Sequence, residues 1–164
     1  MNSSKKEVKL YYKRNNFDVE MPEWVASART DNSTKNAKVG DMFTFFGDFY
    51  ADESRSEDKI VADTVIQYTV QSVSNEETIM IAEIDCDFGD GNHLLLMGTI
   101  SAEFFEIKNR NLEPYKTKRL EYPNLAIIHG TANFKRTTGS AKYVINGHQA
   151  GVGSLGELHL MLNL

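Results

Sequence analysis

Apolar and polar residues alternate at a period of two along most of the chain, in short runs separated by turn residues. Glu7–Tyr12 (EVKLYY) sets Val8, Leu10 and Tyr12 against polar neighbours, the pattern of a half-buried strand. Met42–Tyr50 (MFTFFGDFY) is dense in aromatic residues of high β propensity. Lys59–Val73 (KIVADTVIQYTVQSV) predicts a long strand. Its even positions carry Ile60, Ala62, Thr64, Ile66, Tyr68 and Val70, and its odd positions carry Val61, Asp63, Val65, Gln67 and Thr69; both faces are half apolar, so neither is plainly the solvent face. Further strands are expected over Thr78–Phe88, His93–Ile107, Asn124–Gly130, Ser140–Gly147 and Leu155–Asn163. Helical periodicity is absent over windows of about 11–18 residues.

These runs predict about eight strands joined in succession by short polar turns, hence antiparallel order. Eight strands suffice to close a barrel whose interior holds side chains or one small ligand. A two-sheet sandwich is the competing fold. Apolar residues on both faces of single strands favour the barrel, with one face lining an interior and the other covered by a loop or partner subunit. The expectation is an all-β, eight-stranded antiparallel β-barrel with a hydrophobic central cavity, built as one domain over residues 1–164. Residues 15–39 break the pattern: they are polar, include Pro22 and Trp24, and read as a long loop that could cap the cavity.

Composition narrows the function classes. Of 164 residues, 41% are hydrophobic and 25% charged, which suits a soluble globular protein, and the net charge of −5 argues against a nucleic-acid partner. The opening MNSSKKEVKL lacks an apolar signal core, and no apolar run approaches the length of a membrane span, so no membrane partner and a cytoplasmic location are expected. The single cysteine, Cys86, excludes an internal disulfide. Half-apolar outer faces leave room for a homodimer or homotrimer.

The stretch Glu83–Gly98 (EIDCDFGDGNHLLLMG) invites a metal reading, with Asp85, Asp87, Asp90 and His93 close together. A calcium loop counted from Asp85 fails: its fifth position is Gly89, its sixth Asp90 and its twelfth Leu96. Zinc needs three or four converging ligands, and only His93 and Cys86 are soft candidates nearby. No metal is expected. A β-hairpin fits better, because Asp90-Gly91 tolerates the positive φ of a two-residue turn. With that tip, Gly89 faces Asn92, Phe88 faces His93 and Asp85 faces Leu96. Period-two alternation then puts Glu83, Asp85 and Asp87 on one face with Leu94, Leu96, Gly98 and Ile100. If that face is interior, closely spaced carboxylates against an apolar wall suit proton transfer. If it is exterior, they solvate the rim.

Three segments in order resemble one family group. FGDGNHLLLMG (88–98) is similar to a hairpin of allene oxide cyclases, while LAIIHGTANFKRTTGSA (125–141) and VGDMFTFFGDFY (39–50) resemble segments those cyclases share with dirigent proteins. Bacterial spirotetronate-type [4+2] cyclases use a similar barrel. The resemblance implies an eight-stranded barrel around a hydrophobic cavity. It does not carry the allene oxide cyclase reaction intact: Lys13 stands where a glutamate is expected, Asn15 matches one asparagine, the other falls near Gly47, and the cavity cysteine falls near Gln67.

No nucleophile elbow, phosphate loop or dinucleotide fingerprint is present, and GVGSLG (151–156) lacks the βαβ context that would make it one. No cofactor is expected. The leading expectation is a cofactor-independent cyclase or isomerase acting on a hydrophobic polyene- or lipid-like small molecule. An intramolecular [4+2] cyclisation is one form of it. Glu83, Asp85, Gln67 and Asn15 are the polar candidates; Tyr12, Trp24, Phe45, Tyr68, Met97, Ile100 and Tyr143 are candidate substrate contacts. Gln67 and Tyr68 are adjacent in one strand, so only one can point inward; the resemblance favours Gln67 and packing favours Tyr68. The alternative expectation is a non-catalytic dirigent-like or small-ligand-binding barrel.

Overall fold

A computed structural model describes residues 4–15, 38–74, 78–102, 120–149 and 153–164. The eight strands are β1 (Lys5–Arg14), β2 (Met42–Tyr50), β3 (Ile60–Val73), β4 (Thr78–Asp87), β5 (His93–Ala102), β6 (Leu120–Gly130), β7 (Thr138–Gln149) and β8 (Gly153–Asn163). Each pairs antiparallel with its sequence neighbour, and β8 returns to β1, closing a barrel in the order β1 to β8. Closure decides between the two expected architectures against the sandwich. Two single-turn 3-10 helices, Glu57–Lys59 and Ala132–Phe134, are the only helical elements among the described residues. No helix there is long and apolar enough to cross a membrane.

The ambiguous strand resolves by parity. On β3, Ala62, Thr64, Ile66, Tyr68 and Val70 are buried, while Val61, Asp63 and Val65 are exposed. The inner face of β1 carries Leu10 and Tyr12, and that of β8 carries Leu158, Leu160 and Leu162, all buried. Burying each such aliphatic side chain contributes about 1.5–3 kcal/mol.

The β4–β5 hairpin does not have the register read from the sequence. Asp90-Gly91 is at the tip, with φ of 54° and 76°, but Gly89 also has positive φ, at 83°. The Phe88 N–H donates to the Asn92 carbonyl at 2.9 Å, and the Asn92 N–H donates to the Gly89 carbonyl at 2.9 Å. Gly89 is therefore an extra residue in the loop, and Phe88 lies opposite Asn92. Asp87 pairs with His93, Cys86 with Leu94, Asp85 with Leu95 and Ile84 with Leu96. A one-residue shift moves every side chain of one strand to the other face. Ile84 and Cys86 thus share the interior with Leu94 and Leu96, and Glu83, Asp85 and Asp87 turn outward. Burial pushes the Cys86 thiol up, which keeps it an inert core residue.

The two rims of the barrel differ. At the first, Phe88 and Phe134 pack with ring centroids 5.2 Å apart. The His93 N–H donates to Thr131 Oγ1 at 3.0 Å, and the Asn133 N–H donates to Asn92 Oδ1 at 3.1 Å. Those bonds tie the β4–β5 and β6–β7 connections together. The β2–β3 connection contributes Arg55, whose Nε donates to the Tyr12 carbonyl at 2.9 Å and whose Nη2 donates to the Gly156 carbonyl at 3.0 Å. The second rim is where β1 ends at Arg14 and β2 begins at Met42. Most of residues 15–39, expected from the sequence as a loop and including Trp24, lie outside the described residues.

Candidate functional site

The interior is walled in part by aromatic rings. Tyr12 on β1 packs tilted against Phe49, at 5.8 Å between centroids, and edge-on against Tyr143, at 5.9 Å and 79°. Phe45 and Tyr68 form a second edge-on pair at 5.9 Å and 75°. Such geometries suit the positive edge and negative face of aromatic rings. Two glycines make the room. A Cβ on Gly47 would meet the Tyr12 ring, and one on Gly156 would stand 2.9 Å from the Tyr143 hydroxyl. Each large ring thus sits over a strand neighbour that has no side chain.

Polar chemistry enters this wall at few points. Arg14 has the parity of Val8, Leu10 and Tyr12, and its Cζ lies 4.7 Å from the Phe45 ring centroid, a cation–π contact. Burial pushes the Tyr12 phenol well above its ordinary value, with the Arg14 charge working against that shift. Like any phenol at neutral pH Tyr12 carries its proton, and burial reinforces that state. Thr64 is buried, and its hydroxyl is occupied by the Asp85 carbonyl at 2.7 Å.

Of the expected substrate contacts, Tyr12, Tyr68, Ile100 and Tyr143 are buried in the interior, and Phe45 is partly buried against the same core. Tyr68 rather than Gln67 points inward, as packing required. Met97 is not among them: it pairs with Glu83 on the outer face. The polar candidates gather elsewhere. Glu83 is opposite Gln67, and Asp85 opposite Val65, on the outer face of β3 and β4. Asn15 follows β1 and donates its N–H to the Phe46 carbonyl at 2.9 Å. Asn15, Asp48, Asp63, Asp85 and Asp87 line an open outer groove of about 330 Å³ with Phe46 and Val65. Beside it, His93 Nδ1 lies 3.3 Å from Asp85 Oδ1, and His93 Nε2 lies 3.5 Å from Asp87 Oδ1. No group of three or more ligating side chains among the described residues is arranged to hold a metal ion.

Sequence reasoning passed over Arg14. The signal was available in EVKLYYKR, since Arg14 continues the Val8–Leu10–Tyr12 alternation by one step. A charged residue closing a strand reads as its solvated end, which is why it was missed.

The outer groove has an electrostatic cost. Partial burial, with the hydrogen bond and charge of Asp63, holds the Asp48 carboxyl above its ordinary value of 3.8; Asn15 and the Lys13 charge pull the other way. A carboxyl raised in the folded state stabilises the fold when protonated. That contribution is present below the ordinary value and is lost as pH rises through the raised one. Asp48→Asn is therefore expected to raise the melting temperature at pH 7, by about 1–3 °C. The gain should shrink to nothing as the pH falls below the ordinary carboxylate value. A variant that melts lower at pH 7 contradicts this account.

No family model and no curated protein matches the sequence. Solved structures do match. A pterocarpan synthase dirigent protein superposes with a TM-score of 0.61 at 18% identity, over 99% of this chain and 97% of that one. A second pterocarpan synthase dirigent protein gives 0.59 at 16% identity, over 98% and 88%. A pyocyanin demethylase gives 0.54 at 16% identity, over 94% and 99%. At these identities the likeness establishes a shared fold, a dirigent-like eight-stranded barrel. It supports the dirigent side of the resemblance read from the sequence, and not allene oxide cyclases or spirotetronate cyclases specifically.

Proposed function

We propose that the barrel interior binds an apolar small molecule at the second rim and holds it in a reactive conformation, as a cofactor-independent cyclase or isomerase. The observation that carries this reading is the aromatic wall of Tyr12, Phe45, Phe49, Tyr68 and Tyr143, which includes the buried phenol of Tyr12. Orientation of a flexible chain inside such a wall contributes several kcal/mol toward a cyclisation. A single buried donor facing a substrate carbonyl stabilises charge that develops there. An intramolecular [4+2] addition needs no more than these two effects, and Tyr12 is the residue assigned the donor role.

A second reading has its own support. With Glu83, Asp85 and Gln67 turned outward, the described residues place no acid–base pair of the kind more demanding chemistry requires in the interior. The barrel would then be dirigent-like, orienting a reactive intermediate without transforming it. The two readings part on one experiment. A panel of conjugated polyenes is titrated by fluorescence, and bound members are followed by chromatography for products of unchanged mass. Cyclisation or isomerisation that slows at least tenfold in Tyr12→Phe, with binding retained, supports the enzyme. Saturable binding with no conversion of any member removes it and leaves the orienting barrel.

A further inference from the structure

Arg14 is a cation with no ion pair among the described residues. It stands on the inner-facing side of β1 at the second rim, one step beyond Tyr12, with its guanidinium over the Phe45 ring. A guanidinium carries its N–H donors in its plane in a fixed fork, and an aromatic ring offers them no acceptor oxygen. Its Nε is out of reach of solvent and has no hydrogen-bond partner among the described residues. Buried donors in folded proteins are overwhelmingly paired, and a charged donor even more so. The fully buried side chains around the interior offer no acid: the buried polar residues among those described are Thr64 and Thr137. Asp48, Asp63, Asp85 and Glu83 have outward parity on their strands.

We infer that Arg14 is an anion receptor within the chamber, and that the ligand is an apolar acid: its carboxylate on the Arg14 fork, its apolar body along Phe45, Tyr68, Tyr12 and Tyr143. This rests on the proposed reading of the interior as a binding chamber and gives that reading a substrate class. A carboxylate fits because its two oxygens match the planar fork of a guanidinium and neutralise its charge in one contact. A ketone or alcohol accepts one hydrogen bond and leaves the charge uncompensated. The aromatic wall beyond Arg14 then selects for an unsaturated or aryl body rather than a polar one.

The test uses cis-parinaric acid, a fluorescent polyene acid, and its methyl ester, each titrated into the full chain by fluorescence. The acid is expected to bind at least tenfold more tightly than the ester. Arg14→Met should abolish that preference by weakening the acid while leaving the ester unchanged. Arg14→Lys, which keeps the charge but not the fork, should retain part of it. Equal, saturable binding of acid and ester by the native chain overturns the anion receptor and leaves the chamber standing. Failure of both probes to bind overturns the receptor and the chamber together. A preference for the acid that survives Arg14→Met places the anion contact elsewhere and also overturns the assignment. If Arg14→Met does not fold, the native acid-to-ester ratio and Arg14→Lys still decide it.

Discussion

Replacing Gly47 with valine is expected to cost about 2–3 kcal/mol, the range for forcing extra methyl groups into a packed interior. The reason is local and severe. A Cβ at Gly47 would lie 2.7 Å from the Lys13 carbonyl oxygen and closer still to the Tyr12 ring. The ring could swing away, but the β1 backbone is fixed by its pairs with β2 and β8, Arg14 opposite Gly47 and Tyr12 opposite Gly156. Something in the wall must therefore move, and Tyr12 is the part that can. In a domain of this size the melting temperature should fall by roughly 5–10 °C. The aromatic circular dichroism should change with it, because Tyr12 loses its packing against Phe49 and Tyr143. Gly47→Ala should show the same signs at lower amplitude. A Gly47→Val protein that melts like the native chain would mean the wall has slack that the described packing does not have.

Gly89 gives the second large effect, and it comes as a contrast. With φ at 83°, it occupies a region that costs an L-residue about 1–2 kcal/mol, and a β-branched residue more. Gly89→Val is expected to destabilise the fold by about 2 kcal/mol. Deleting Gly89 is expected to be far milder. Phe88 and Asn92 would still face each other, now across a two-residue Asp90-Gly91 turn of the kind hairpins favour. The pairing of β4 with β5 is unchanged by the deletion, so Ile84 and Cys86 stay inside. Thermal melts of the two proteins side by side test this. A deletion that unfolds the chain while valine is tolerated would show that Gly89 is not the surplus residue.

The same glycine marks the limit of what could be read from the sequence. Strand number and antiparallel order follow from period-two alternation and short turns, which are local signals; closure into a barrel rather than a sandwich rests on the long-range pairing of β1 with β8. The faces of β4 do not follow from those local signals either, because they hang on whether three residues or two lie between the flanking pair. FGDGN spells both loops equally well, and the difference is a backbone angle at Gly89 that no side chain announces. One residue of register was enough to part Glu83 and Asp85 from the face of Leu94 and Leu96 that they were read to share. On β3 the cause was different. Val61 and Val65 give its outer face an apolar look, and only closure of the barrel shows that they are the exposed set. The inward placement of Tyr12 and Tyr143, and of Tyr68 on packing grounds alone, was legible because large rings on an alternating strand have few places to go other than inside. Arg14 follows the same alternation, but charge obscured the parity.

The seam that closes the barrel joins the first strand to the last, with Lys5 opposite Asn163 and Lys13 opposite Leu155. Every other seam is laid down between neighbours in sequence. This one carries the greatest loop-closure entropy, and it cannot form during synthesis until β8 has been made. Until then the nascent sheet has two open edges, β1 and whichever strand was made last, and open edges are the templates on which chains pair wrongly. The Arg55 side chain bonds to carbonyls on both sides of that seam, at Tyr12 and Gly156. Its place in the folding order is therefore late. It acts as a latch on the final event, and its loss should be felt in how long the barrel stays shut more than in how quickly it closes.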